Sequence, residues 1–135
     1  MTVLYSARFA RCDVVRCINQ MACYVTKWIA VQDMELNDMM GYLENTAHWK
    51  SIGWIGDDIE QLSPHLFADA DLAGCPITER STSGMYLAIR GPNSCFPIAF
   101  GCKRQGACAN CTAEAELTSM KSALRHCGLP SIMLW

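Results

Sequence analysis

"HLFADADLAG", residues 65 to 74, sets two aspartates two positions apart inside an apolar run. On a strand this spacing points Asp69 and Asp71 to one face and Ala68, Ala70 and Leu72 to the other. Two like charges side by side repel unless something of opposite charge lies between them. Whether this stretch is a strand decides the fold, because the segments after it repeat the same short pattern.

Downstream, "GMYLAIRG" and "CFPIAFGCKRQ" read as further strands, separated by Gly, Pro, Asn and Ser, and "KSIGWIG" reads as another upstream. Pro97 inside the last strand predicts an edge position or a bulge. A helix is expected from Thr112, with its hydroxyl as cap, and with Ala113, Leu117, Met120, Leu124 and Cys127 as the buried stripe. Gly128 and Pro130 are expected to stop it. Glu114 shares a face with Thr118, Lys121 and Arg125 and reads as a helix-start charge in a solvated surface. Glu116 borders the buried stripe. A carboxylate facing a sheet needs a partner, and a divalent ion shared with Asp69 would supply one. Hard oxygen ligands suit Mg²⁺ or Mn²⁺. The competing reading is two half-exposed surface charges.

Before residue 48 the period is helical. Val14, Ile18, Met21, Val25 and Trp28 form one stripe behind Asp13 as N-cap. Leu36, Met39, Met40 and Leu43 form a second behind Asp33, ended by "ENTAH". The methionines read as gap-filling core. The expected fold class is therefore α+β. Residues 1–48 form a helical segment, and residues 49–135 form an antiparallel sheet with one covering helix.

At 135 residues this is one domain or part of one. A net charge of -2 points to no partner by itself, so any nucleic-acid contact must come from a local basic patch. Arg8 and Arg11 interrupt any signal-peptide core, and no uncharged run approaches bilayer length, so no membrane association is expected. Nine cysteines, an odd number without regular spacing, read as reduced thiols of an intracellular protein, mostly small core residues.

Two further groups carry chemistry-bearing residues. Asp57 and Asp58 in "WIGDDIEQL" read as a polar turn. Cys108 and Cys111 form a Cys-x-x-Cys that suits a zinc or redox module, although no second such pair or His-x-x-x-His completes a zinc shell.

The segments "FADADLAG", "ERSTSGMYLAIRG", "CKRQ" and "CTAEAELTSMKSAL" together resemble the start of the ribonuclease H domain in copia-type retrotransposon polyproteins. That family reads approximately Asp-Ala-Asp-Trp-Ala-Gly, Arg-Arg-Ser-Thr-Ser-Gly, Ser-Lys-Lys-Gln and Ser-Thr-Glu-Ala-Glu-Tyr, in the same order. Upstream, "LYSARFARCDVVRCINQMACYVT" and "MMGYLENTAHWKSIGW" resemble the helical connection that follows reverse transcriptase. The chain departs from the family at Leu72, Glu79, Asn110 and Cys111.

The resemblance implies hydrolysis of the RNA strand of an RNA–DNA hybrid with two divalent ions about 4 Å apart. Asp69 and Glu116 match its metal-binding, catalytic carboxylates, with Asp71 behind them in support. It implies that Arg80, Lys103 and Arg104 contact phosphates. Ser81, Thr82 and Ser83 would contact sugar or backbone. The implied partners are an RNA–DNA hybrid and the remainder of the polyprotein, and the implied location is intracellular, in a retroelement particle. The chain ends at Trp135, before the strand that carries the family's third metal-binding aspartate. This implies a chain inactive on its own, which holds magnesium weakly and has an open strand edge prone to self-association. A non-catalytic structural remnant is the alternative.

Overall fold

The computed structural model describes residues 5, 7, 8, 10–75 and 77–135. The chain is α+β and divides into two compact units, Met1–Ser51 and Ile52–Trp135.

In the first unit, helix α1 spans Val15–Ala22 and α2 spans Ala30–Asn45. Val14, Ile18, Met21 and Met39 are buried, so this part of the expected stripes holds, and Val15 is buried beside them. The rest does not. Helix α1 stops at Ala22, and Val25 lies in a separate 3-10 turn, exposed, with Trp28 beyond it at the surface. Asp13 caps nothing. It pairs with Arg11 at 2.8 Å and accepts the Tyr42 hydroxyl at 2.9 Å, because a guanidinium two residues away outcompetes the helix N–H groups. Arg11 also donates to the Thr46 carbonyl and hydroxyl, fastening the end of α2. Asp33 lies in the first turn of α2 rather than at its cap, and accepts the Trp28 indole N–H at 2.7 Å. Met34 and Met40 are exposed, so only some of the methionines fill core.

The second unit carries an antiparallel sheet of order β1-β2-β3, with β1 at Ser63–Asp71, β2 at Thr82–Gly91 and β3 at Ser94–Arg104. The opening stretch is thus an edge strand. β3 is the other edge, and the register shifts at Leu87/Ala88, opposite Ala99 and Pro97. Both expectations for Pro97 are met, since a residue without N–H fits only where the ladder is interrupted or unneeded. "KSIGWIG" makes no strand; Trp54 alone bridges to Cys95 on the outer side of β3. Asp57 pins the β2–β3 turn by accepting from the Asn93 N–H at 2.8 Å, the Asn93 side chain at 3.0 Å and the Ser94 hydroxyl. The Ser94 hydroxyl bond comes first in holding its pKa below the usual carboxylate value. Asp57 therefore serves the β2–β3 turn, not the polar turn of its own that its sequence context suggests.

Helix α3, Thr112–Ala123, crosses β1 and β2. Its buried stripe is Ala115, Ser119 and Ala123, not the larger residues expected. Leu117, Met120 and Leu124 are exposed at 66%, 50% and 46%. The helix has turned because its small residues allow close approach and Ser119 finds carbonyl partners in the sheet. Thr112 is the first helical residue and caps nothing. Glu114 instead accepts from the Asn110 backbone N–H at 2.7 Å and its side chain at 3.0 Å, the helix-start role expected for it.

Gly128 and Pro130 do not stop the helix. Leu124–Gly128 widens into a π turn, and helix α4 continues over Leu129–Leu134. The wider turn accommodates a proline that has no N–H to give. None of the nine cysteines is in a disulfide, and only Cys75 is buried; five are exposed, so the expectation of a thiol-filled core fails. No helix among the described residues is long and apolar enough to cross a membrane.

Candidate functional site

The face covered by α3 is identified by three contacts. Gln105 donates to the Ser83 hydroxyl at 3.0 Å and to the Ala115 carbonyl at 2.9 Å. The Cys127 thiol meets Met85 sulfur at 3.6 Å. A side chain added at Gly128 would meet Leu66 at 3.0 Å. Through the β1–β2 register, Leu66, Ala68 and Ala70 therefore point under the helix together with Leu87, Met85 and Ser83.

Alternation then sends His65, Phe67, Asp69 and Asp71 to the opposite face. There Phe67 lies 6.1 Å from the Tyr86 ring, and the Arg90 guanidinium lies 5.8 Å over Phe67. Asp69 is exposed on this face, paired with Gly84. Glu116 is half-buried on α3, one turn before Ser119, which donates to the Asp69 carbonyl at 2.7 Å and the Gly84 carbonyl at 3.3 Å. The backbone of Asp69 and the helix bearing Glu116 are thus in hydrogen-bond contact, but the two carboxylates do not share a face. The expected convergence is not formed, because strand alternation places Asp69 away from the helix.

A divalent ion prefers six or more oxygen ligands. Two carboxylates on opposite faces do not by themselves fit one. Among the described residues no group of three or more His, Cys, Asp or Glu is placed to hold a metal, and Cys108 and Cys111 are included in that statement.

Asp71 works on the chain itself. Its carboxylate accepts the Thr82 N–H across the strand end and packs beneath Gly74, where any side chain would collide with it. This closes the loop 72–81, in which Ala73 and Glu79 take left-handed φ values of 52° and 51°.

The residues expected to contact nucleic acid divide. Ser81 and Ser83 are buried: the Ser81 hydroxyl accepts the Ala73 N–H at 3.2 Å, and Ser83 is held by Gln105. Neither is open to a sugar. Thr82 pairs with Arg104 and Ser83 with Lys103, so Arg104 lies on the Asp71 face and Lys103, exposed, on the helix face. Arg80 is half-buried at the loop end. Arg80, Lys103 and Arg104 thus flank one end of the sheet without forming one continuous patch.

One residue was not singled out from sequence. The pKa of the buried Cys75 thiol is lowered to about 6 by its neighbour Thr78 first, side chain and backbone, then by the Ile77 backbone, with the Arg104 guanidinium 3.7 Å away also contributing. The Cys108 thiol donates to the Thr78 carbonyl at 3.3 Å. Only the closure of loop 72–81 against the end of β3 brings these groups together.

In the first unit, a groove of about 420 Å³ runs over Val14, Met21 and Met39, with Asp13, Glu35 and Asp38 on its rim. No protein-family model matches the chain, and no curated protein and no solved structure matches it either.

Proposed function

We propose that this chain belongs to a copia-type retroelement polyprotein, as the helical connection and the first part of a ribonuclease H-like layer, and that it does not cleave nucleic acid by itself. The observation that carries this reading is the return of α3 across β1, sealed by Ser119 on the Asp69 carbonyl. It gathers the four motifs that resemble the family into one α-on-β layer, with Asp69 and Glu116 on either side of an edge strand. Groups on opposite faces of an edge strand can meet one ion only around its open side. Further oxygen ligands would have to come from outside these residues.

The chain's own contribution is to position rather than to react. Asp71 and Gly74 fix the strand end, and Gln105 locks α3 to β2. Lys103 and Arg80 offer cations to the phosphates of an RNA–DNA hybrid, a partner inside a cell or a retroelement particle. The test is hybrid binding by fluorescence anisotropy together with a cleavage assay in Mg²⁺ or Mn²⁺. Salt-sensitive binding weakened by Lys103→Ala and Arg80→Ala, with no cleavage, is expected. Binding that ignores both substitutions, or any cleavage by the chain alone, overturns the reading.

A thiol-based role is the second reading, favoured by Cys75 and Cys108 both meeting Thr78. Stoichiometric zinc in the purified protein, or a protected Cys75–Cys108 pair in thiol mapping, would favour it.

A further inference from the structure

The two edges of the sheet are treated differently by the sequence. β3 carries Pro97, a register shift, Lys103 and Arg104, and its outer side is bridged by Trp54. These are the features that keep an edge from pairing with another chain. β1 runs nine residues without a register shift, has no Lys or Arg, and has its one proline at the second position. Among the described residues no strand pairs with its outer side.

The phase of the ladder shows which groups that side offers. Trp54 and Cys95 exchange both backbone bonds, so Cys95 directs its N–H and C=O away from β2. Counting along the register from there, odd-numbered residues of β1 bond to β2, and Leu66, Ala68 and Ala70 direct theirs outward. These residues also point their side chains under α3, which runs antiparallel to β1. The right-handed turn of the helix then places Met120 and Leu124 on the side of the open edge, and Thr118, Ser122 and Arg125 on the side of β2. An unpaired strand edge and an exposed apolar helix flank therefore face the same way.

We infer that this edge is an interface with a second copy of the chain, formed by antiparallel β1–β1 pairing about a two-fold axis at Phe67. Three neighbouring registers let outward groups bond. Centring on Leu66 leaves Asp69 opposite Ser63, and centring on Ala68 sets Phe67 against Asp69 and His65 against Asp71, whose carboxylate is already engaged by the Thr82 N–H and packed beneath Gly74. Centring on Phe67 puts Phe67 against its own copy and sets the His65 imidazole against the exposed Asp69 carboxylate on both sides of the axis, a carboxylate that is not committed to the strand end as Asp71 is. The axis is perpendicular to the sheet, so the two α3 helices lie on one face of a six-stranded sheet. With strands about 4.8 Å apart and each helix over β1 and β2, the helix axes come within roughly 10 Å, the packing distance of helices. Ser119 lies over Asp69 and Gly128 over Leu66, so Leu124 sits close to the axis and meets its copy.

This interface does not depend on the nuclease reading, and it covers the side of β1 on which that reading places an ion. The test is sedimentation equilibrium of the full chain at tens of micromolar, with circular dichroism as the control for folding. A dimer is expected. Ala68→Pro, which removes an outward N–H and leaves β1–β2 bonds intact, makes it monomeric. His65→Asp weakens it about tenfold through two like-charge pairs, and His65→Asp with Asp69→His restores it. A wild-type monomer, or a dimer that ignores both Ala68→Pro and His65→Asp, overturns the inference. Hybrid binding is read separately by anisotropy, so either proposal can fail alone.

Discussion

The Ser119 hydroxyl lies 2.7 Å from the Asp69 carbonyl oxygen and 3.3 Å from that of Gly84, so one side chain ties α3 to two adjacent strands. Ser119 is almost completely buried. Ser119→Ala is expected to cost about 1 kcal/mol for the lost hydrogen bond. Ser119→Leu should cost on the order of 1–3 kcal/mol, because the helix sits too close to admit a large side chain. Urea denaturation followed by far-ultraviolet circular dichroism measures both, and an unchanged midpoint for the leucine variant would contradict the packing described.

Gln105 performs the matching task from the end of β3. Its side-chain amide reaches both Ser83 and the Ala115 carbonyl in a buried setting. Gln105→Leu keeps the volume and removes the donors, leaving the Ser83 hydroxyl without that bond. The expected loss is about 1–3 kcal/mol, read by the same denaturation experiment. Lys103→Ala, at the exposed neighbouring position, serves as the control and should shift stability by less than about 0.5 kcal/mol.

Acid sensitivity in the first unit should trace to Asp13. The Arg11 side-chain bond, followed by the Tyr42 hydroxyl, lowers its pKa from 3.8 to about 2. A carboxylate depressed in the folded state stabilises fully above its unfolded pKa, and that contribution is lost as pH falls through about 2. The window is therefore pH 4 to 2. The raw shift is worth roughly 2 kcal/mol, but the group is largely exposed, and solvent screening reduces this to under about 1 kcal/mol. Asp13→Asn should flatten the pH dependence of the melting temperature in that window.

Cys75 should be the first thiol to ionise. Its folded value of about 6 lies below the ordinary 9.0, so the unfolded chain binds more protons between those limits. Stability gained from the thiolate is present at high pH and is lost as pH falls through about 6. Titrating thiolate absorbance against pH should show one early transition that disappears in Cys75→Ser. In Arg104→Gln the transition should move upward, because a cation that favours the thiolate is removed.

Gly74→Ala should disturb the loop that ends β1. A methyl group there meets the Asp71 carboxylate, the group that accepts the Thr82 N–H. A loss on the order of 1–3 kcal/mol is expected, and loosening of residues 72–81 should appear as faster amide exchange.

Much of the second unit was legible along the chain. Short apolar runs bounded by Gly, Pro and Asn marked β1, β2 and β3, and Pro97 marked both the edge and the register shift, because these depend on local backbone chemistry. The role of Asp57 was not legible, since Asn93 and Ser94 reach it only through the fold. The roles of Asp13 and Asp33 were not. A carboxylate before a helix fits a cap, but Arg11 and Trp28 offered Asp13 and Asp33 closer partners, and sequence spacing does not rank such competitors.

The sequence by itself determined the α+β class, three of the four strands read from it, the helix from Thr112 and the helix-start role of Glu114. Propensity, turn chemistry and charge at helix ends act over a few residues, and these features follow from them. Only the tertiary structure decided which stripe of α3 is buried, which face of β1 receives Asp69, and that Ser81 and Ser83 are internal. Those depend on how closely two elements approach and on which hydrogen-bond partners lie across the gap. Ala115, Ser119 and Ala123 won the interface over Leu117, Met120 and Leu124 because small side chains let a hydroxyl reach two strand carbonyls.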